Sequence, residues 1–177
     1  MAGFKPVQSI GGAPYNGKII HLGVNAVHAT LLAKGDLVVS TGTANSKGLQ
    51  ECDAISTSSL ITGVITGFLP NFSDLEQQGL PALTAGTALV AVGRDMLLEV
   101  ASSTTVAVTD VGQNAACVVT AATLSGGLVH SNMTLNTASF GAATDQIRLE
   151  GLKDGGTAAG TICYVRINES TLDTVGI

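Results

Sequence analysis

From Ile19 onward, short apolar runs with a period of two are broken by glycine and polar turns at roughly 10-residue spacing. Successive side chains on a strand point to opposite faces, so this pattern buries one face of a sheet and wets the other. Met96, Leu98 and Val100 share a face opposite Glu99. Met133 and Leu135 alternate with Asn132, Thr134 and Asn136, and Ile147 and Leu149 alternate with Gln146, Arg148 and Glu150. Val106 and Val108 stand against Thr105 and Ala107, which predicts a strand over Thr104 to Val108. Leu37 to Ser40 opens after the turn pair Gly35-Asp36. Leu60 to Thr66 is β-branched around Gly63 and closed by Gly67, and Thr87 to Val92 and Ile162 to Ile167 read as buried strands. Lys153-Asp154-Gly155-Gly156 has turn chemistry and predicts a hairpin with a loop longer than two residues. Arg148 and Arg166 then lie on opposite strands, sharing a face or not according to register.

Helix is scarce. Ser73 to Gln78 is the best candidate, with Ser73 and Glu76 in a capping-box pattern and Gly79 and Pro81 as stops. Val111 to Val119 reads as a short helix or a strand. The expected fold is all-β: a small barrel or sandwich of about eight to ten short antiparallel strands with little helix. Residues 1–18 read as an extended N-terminal arm, broken by Pro6, Pro14 and Gly11-Gly12 yet carrying Phe4, Val7, Ile10 and Tyr15. Those apolar residues dock on a neighbour or on their own domain. Residues 19–177 form the β-rich domain, as one unit or as two packed lobes divided near 101–110.

Charge is the second constraint. Charged residues make up 12% of the chain, about half of the roughly 25% of an ordinary domain. Such a chain solvates itself with hydroxyls and amides or hides surface in an assembly. The stretch Val111 to Thr144 has no Asp, Glu, Lys or Arg, which favours assembly and places an expected subunit interface within it. The core is aliphatic, since aromatics are 3% and tryptophan is absent.

The net charge of −5 with eight dispersed cations leaves no footprint for nucleic acid or for an anionic membrane. Cys52, Cys117 and Cys163 are odd in number and widely spaced, so they read as small buried hydrophobes. The N-terminal stretch has no apolar core of a secretory signal, so synthesis in a cytoplasm is expected, with the sequons at Asn71, Asn132 and Asn168 chance matches. His21, His28 and His130 form no metal-ligand spacing. Asp53, Asp74, Asp95, Asp110, Asp145 and Asp154 are dispersed and read as turn formers. No nucleophile elbow or phosphate loop occurs. The expectation is therefore a chain with no catalytic residues, no cofactor and no metal site. The aromatics available as a glycan platform are Phe4, Tyr15, Phe68, Phe72, Phe140 and Tyr164.

An ordered set of segments carries a resemblance. It runs GDLVV (Gly35 to Val39), ITGVITGFLPN (Ile61 to Asn71), ALVAVGRDMLLEV (Ala88 to Val100), DVGQNAACVV (Asp110 to Val119), QIRLEGL (Gln146 to Leu152) and YVRINES (Tyr164 to Ser170). In these segments the chain resembles capsid decoration (cement) proteins of tailed bacteriophages. Members carry a strand ending in an acidic residue, then a turn of the form VG-N-A, and close on RIN. Here those are Glu99; Val111, Gly112, Asn114 and Ala115; and Arg166, Ile167 and Asn168. The strand Met96-Leu97-Leu98-Glu99-Val100 departs from the family's aromatic there, and the first 34 residues are not covered. The resemblance implies a virion protein on the outer capsid surface that cements neighbouring major capsid subunits. It also implies a homo-oligomer, with a trimer favoured by the threefold positions of a shell. The alternative is a head fibre base or a receptor- or glycan-binding surface protein.

Overall fold

The computed structural model describes residues 3–56, 60–70, 78–142 and 145–168. The protein is all-β there. In chain order the strands begin with β1 (Lys5–Ser9), β2 (Ile19–Val24), β3 (Leu32–Ala33), β4 (Leu37–Ala44) and β5 (Gln50–Ala54). They continue with β6 (Gly63–Phe68), β7 (Gly79–Leu80), β8 (Gly86–Ala91), β9 (Met96–Ala101) and β10 (Asn114–Val118). The last are β11 (Thr123–Ser125), β12 (Leu128–His130), β13 (Thr134–Phe140), β14 (Ile147–Leu152) and β15 (Ile162–Ile167). The helical content among the described residues is two single 3-10 turns, at Val108–Asp110 and Lys153–Gly155.

Five strands close a barrel in the order β2-β5-β4-β6-β8. One of its pairs, β2 with β5, is parallel, with Gly23 opposite Glu51 and Val24 opposite Cys52. This departs from the expected antiparallel pattern, and it is feasible because β3 and β4 supply the long crossover that a parallel pair needs. Leu22, Val38, Cys52, Ile65 and Val90 fill this barrel.

The second sheet has the order β1-β9-β15-β14-β10-β13. Its far edge curls back onto the chain leaving β9, through a parallel bridge between Ser102 and Leu135 and a Ser103 N–H donating to the Leu135 carbonyl at 2.9 Å. Leu98, Val100, Leu135, Leu149 and Val165 fill the concave side. The same cluster includes Leu37, Val64 and Ala91 from barrel strands and Ile61 just ahead of β6, so the two strand sets share apolar packing. The chain passes from the second sheet to the barrel between β1 and β2 and returns between β8 and β9, at residues 92–95, the return lying ahead of the division expected near 101–110.

The alternations at Met96–Ala101, Ile147–Leu152 and Ile162–Ile167 are strands. Thr104 to Val108 is not. Thr104 N–H donates to the Thr137 hydroxyl at 3.0 Å and Val106 N–H to the Thr157 carbonyl at 3.0 Å, so its donors go to separate partners rather than to one ladder. Val106 is buried while Val108 is exposed. Gly67 lies inside β6, at a register shift against β8, rather than ending the strand. Within Val111 to Val119, Asn114–Val118 is strand β10 and Val111-Gly112 is a turn. The predicted helix at Ser73 to Gln78 falls on residues outside those described, apart from Gln78, which is irregular.

Residues 3–18 are not a free extended arm. β1 pairs antiparallel with β9, Lys5 opposite Glu99 and Ser9 opposite Met96. The chain then folds back along β1, with Ser9 N–H donating to the Ala13 carbonyl at 2.9 Å and Gln8 bridged to Pro14. Phe4 is 2% exposed, and its N–H donates to the Gly35 carbonyl at 2.8 Å. Burial of that ring within its own chain is what holds the segment.

Candidate interaction surface

The charges are unevenly placed. Arg148 stands opposite Arg166, Tyr164 opposite Glu99, and Lys5 opposite Glu99 on the other side of β9. These side chains share the convex face of the second sheet. Glu150 pairs with both arginines, and Lys153 pairs with Glu99 at 3.1 Å. The Glu99 contact raises the Lys153 pKa, first through the hydrogen bond and then through its charge. Four of the eight Lys and Arg residues therefore stand on this face: Lys5, Arg148, Lys153 and Arg166.

The residues carrying the resemblance lie in the same sheet, and their visible work is structural. Gly112 N–H donates to the Leu149 carbonyl at 2.8 Å, and Leu149 N–H donates to the Gln113 carbonyl at 3.0 Å, so the turn registers β10 on β14. Asn114 stands opposite Arg148. Asn168 N–H donates to the Gln146 carbonyl at 2.7 Å, which closes β15 on the start of β14.

The charge-free stretch divides into two parts. Strands β10 and β13 contribute Ala115, Cys117 and Leu135 to the core. Between them the chain leaves the sheet as the hairpin β11–β12, which forms its own two-stranded sheet. Leu124 stands opposite Val129 and Ser125 opposite Leu128. The turn is Gly126-Gly127, both with positive φ, the two-residue connection whose twist matches that of the strands. Leu124 is 67% exposed and Leu128 47%. Val129 seats the hairpin: a Cβ added at Gly79 would come within 2.7 Å of the Val129 side chain, so only glycine lets β7 approach this closely. The base is fixed by Asn132 Nδ2, which donates to the Ala121 carbonyl at 2.8 Å. Apolar alternation does not mark Thr123 to His130 as strands; the signal there is Gly-Gly between Thr-Leu-Ser and Leu-Val-His, a two-residue hairpin connection.

The described residues also form two concavities. One, of about 230 Å³, lies between Thr30, Asp36, Asp53, Ile55, Val119 and Met133. Asp36 is 1% exposed, and burial raises its pKa against the hydrogen bond that Oδ2 accepts from the Ala33 N–H. The other is an open groove at the end of the barrel, bordered by Asn25, Thr43, Asn45, Glu51, Phe68 and Thr87. Glu51 is tied there by Asn25 Nδ2 at 3.1 Å and Thr43 Oγ1 at 2.7 Å. Phe68 is half-buried at this groove; Phe72 lies outside the described residues.

Among the described residues no three His, Cys, Asp or Glu side chains gather as metal ligands. His21 and His130 are exposed, and buried His28 bonds through Nδ1 to the Asn25 carbonyl at 2.8 Å. The cysteines are buried and unpaired, and burial pushes the Cys52 and Cys117 thiols up to about 12 and Cys163 to about 11. Asp110 and Asp154 occupy turns, the former accepting from the Ala107 N–H at 2.7 Å. No helix of the described residues is long and apolar enough to cross a membrane. Compared with known proteins, the chain matches no family model, no curated protein and no solved structure.

Proposed function

We propose that this protein is a capsid decoration protein of a tailed bacteriophage. It binds the outer surface of the head as a homo-oligomer, with a trimer favoured, and cements neighbouring major capsid subunits. The observation that carries the reading is the separation of its surface: ion-paired charges on one sheet face, and an uncharged hairpin with exposed leucines elsewhere. A charged, hydrated face suits the solvent side of a virion. A neutral projecting hairpin suits a contact that must lose its water. Each such contact is small, but copies linked as oligomers on a repeating shell gain effective concentration. The ordered segments from Gly35 to Ser170 supply the link to phage heads.

The test is thermal. Heads carrying the protein are expected to rupture at a higher temperature than stripped heads, and adding the purified protein back is expected to restore the difference. Equal rupture temperatures sink the cementing role.

One feature favours the second reading, a receptor- or glycan-binding surface protein. The barrel-end groove sets Asn25, Thr43 and Thr87 beside Phe68, hydrogen-bonding groups next to an aromatic side chain. Binding of the isolated protein to host cells or to a glycan array, with no binding to heads, decides for it.

A further inference from the structure

We propose that the β11–β12 hairpin is the edge at which copies of this chain meet, strand against strand. The contact rests on the oligomer in the reading above and not on what that oligomer binds.

Among the described residues, the edges of the barrel and of the six-stranded sheet are covered. The barrel is closed, β13 is bridged to Ser102, and β1 is lined by the returning residues at Ala13 to Tyr15. The hairpin differs. Among the described residues, Thr123–Ser125 and Leu128–His130 make no backbone hydrogen bond beyond their own ladder. Proteins usually blunt such an edge with lysine, proline or an inward charge. Residues 111–142 of the described chain include none of these. The edge is also held in place, because Val129 is seated against Gly79 and Asn132 anchors the base. It is therefore a preformed strand template with Leu124 and Leu128 beside it.

Charge identifies the occupant. The chain carries −5, so two copies repel across most of their surfaces. The hairpin itself carries no Asp, Glu, Lys or Arg to repel a second copy. A strand bearing Lys or Glu would have to bury that charge against Leu124 or Leu128 without a partner, which is costly. The matching strand must be uncharged, with small or aliphatic side chains. The same hairpin on a second copy meets that description. Three-residue strands bury well under the roughly 1,200 Å² of a stable complex, so the association depends on concentration.

Sedimentation tests this on the full chain from about 1 μM to about 1 mM, the range in which so small a contact would form. The wild-type mass is expected to rise above the 17.7 kDa of one chain. The double variant Leu124→Lys, Leu128→Lys is expected to remain at one chain across the range. Both positions are exposed, so circular dichroism and unfolding midpoint should match the wild type. A second measurement avoids the lysines. Oxidised Leu124→Cys should link copies on a non-reducing gel, while Val108→Cys, at a site 66% exposed off the hairpin, should not. The native cysteines are buried and do not contribute. A wild type that stays at one chain, a double variant that associates equally, or equal linking at both cysteine sites would overturn the proposal. If heads are still stabilised in any of those cases, the decoration reading stands and only this contact fails.

Discussion

Arg148 and Arg166 face each other directly across the β14–β15 ladder, and Glu150 is the counter-charge to both. Its Oε1 lies 3.6 Å from Arg148 Nε and 2.5 Å from Arg166 Nε. Like charges directly opposite on a sheet destabilise it unless a counter-charge stands between them.

Removing that counter-charge should therefore leave two guanidiniums in conflict. The side chains are 31% to 41% exposed, so solvent and salt screen the effect. Glu150→Gln is expected to cost about 1 kcal/mol or less at low ionic strength and less again in high salt. In an Arg148→Gln background the same change should cost less still. Urea unfolding of the four proteins at two salt concentrations reads both effects; a loss that ignores salt would point to packing.

The three buried cysteines should be chemically silent in the native protein. A thiol held near 12 is almost wholly protonated at neutral pH and is a poor nucleophile. Burial of Cys52, Cys117 and Cys163 adds a steric barrier. In the native protein, none of the three is expected to react with a disulfide reagent at pH 8 over minutes. All three should react at once in denaturant. Fast labelling of one thiol in the native state would mean that its strand opens locally.

Much of the sheet was legible because its signal is local. Met96 to Val100 sets Met96, Leu98 and Val100 on one face opposite Glu99 in sequence, and the structure puts those three in the core. Thr104 to Val108 shows the same alternation and forms no strand, since pairing is set by distant partners. There Ser103 and Thr104 take β13 as partner through a mixture of backbone and hydroxyl bonds. Apolar content in the first 18 residues showed that something would be buried, but only the register of Lys5 on Glu99 shows where. At the candidate contact, absence of charge marked the region, whereas the division into core strands and projecting hairpin follows from nonlocal packing. The Gly126-Gly127 pair was the local signal that could have located it.

The N-terminal segment supports its own chain. Phe4 is fully enclosed in the shared apolar cluster. Phe4→Ala is expected to cost about 3 to 5 kcal/mol, the range for emptying an aromatic site that relaxes only partly. Deleting residues 1–18 should cost at least as much, because it also strips β9 of one ladder. Loss of head binding by such a deletion would therefore reflect unfolding unless the truncated chain is shown to be folded. Unfolding by urea, followed by near-ultraviolet circular dichroism, measures this. An unchanged midpoint in both variants would free the segment to act as an anchor on a neighbour.

Asp36 makes stability depend on pH in a direction opposite to that of a salt-bridged carboxylate. Its side chain is buried, Oδ2 accepts from the Ala33 N–H at 2.7 Å, and burial raises its pKa above the ordinary aspartate value. The folded state therefore holds the proton more tightly than the unfolded state does. By linkage, the favourable contribution is fully present below the unfolded aspartate pKa of about 3.9 and is lost as pH rises through the higher folded value. Above that value the molecule folds with a buried carboxylate and bears its desolvation. Asp36→Asn keeps a carbonyl acceptor for Ala33 and has no proton to lose, so it should remove this part of the slope. The stability of the variant minus that of the wild type should become more positive from pH 4 towards pH 7. Thermal or urea unfolding of both proteins across that range measures the difference; a difference that is flat with pH would show that Asp36 does not titrate there.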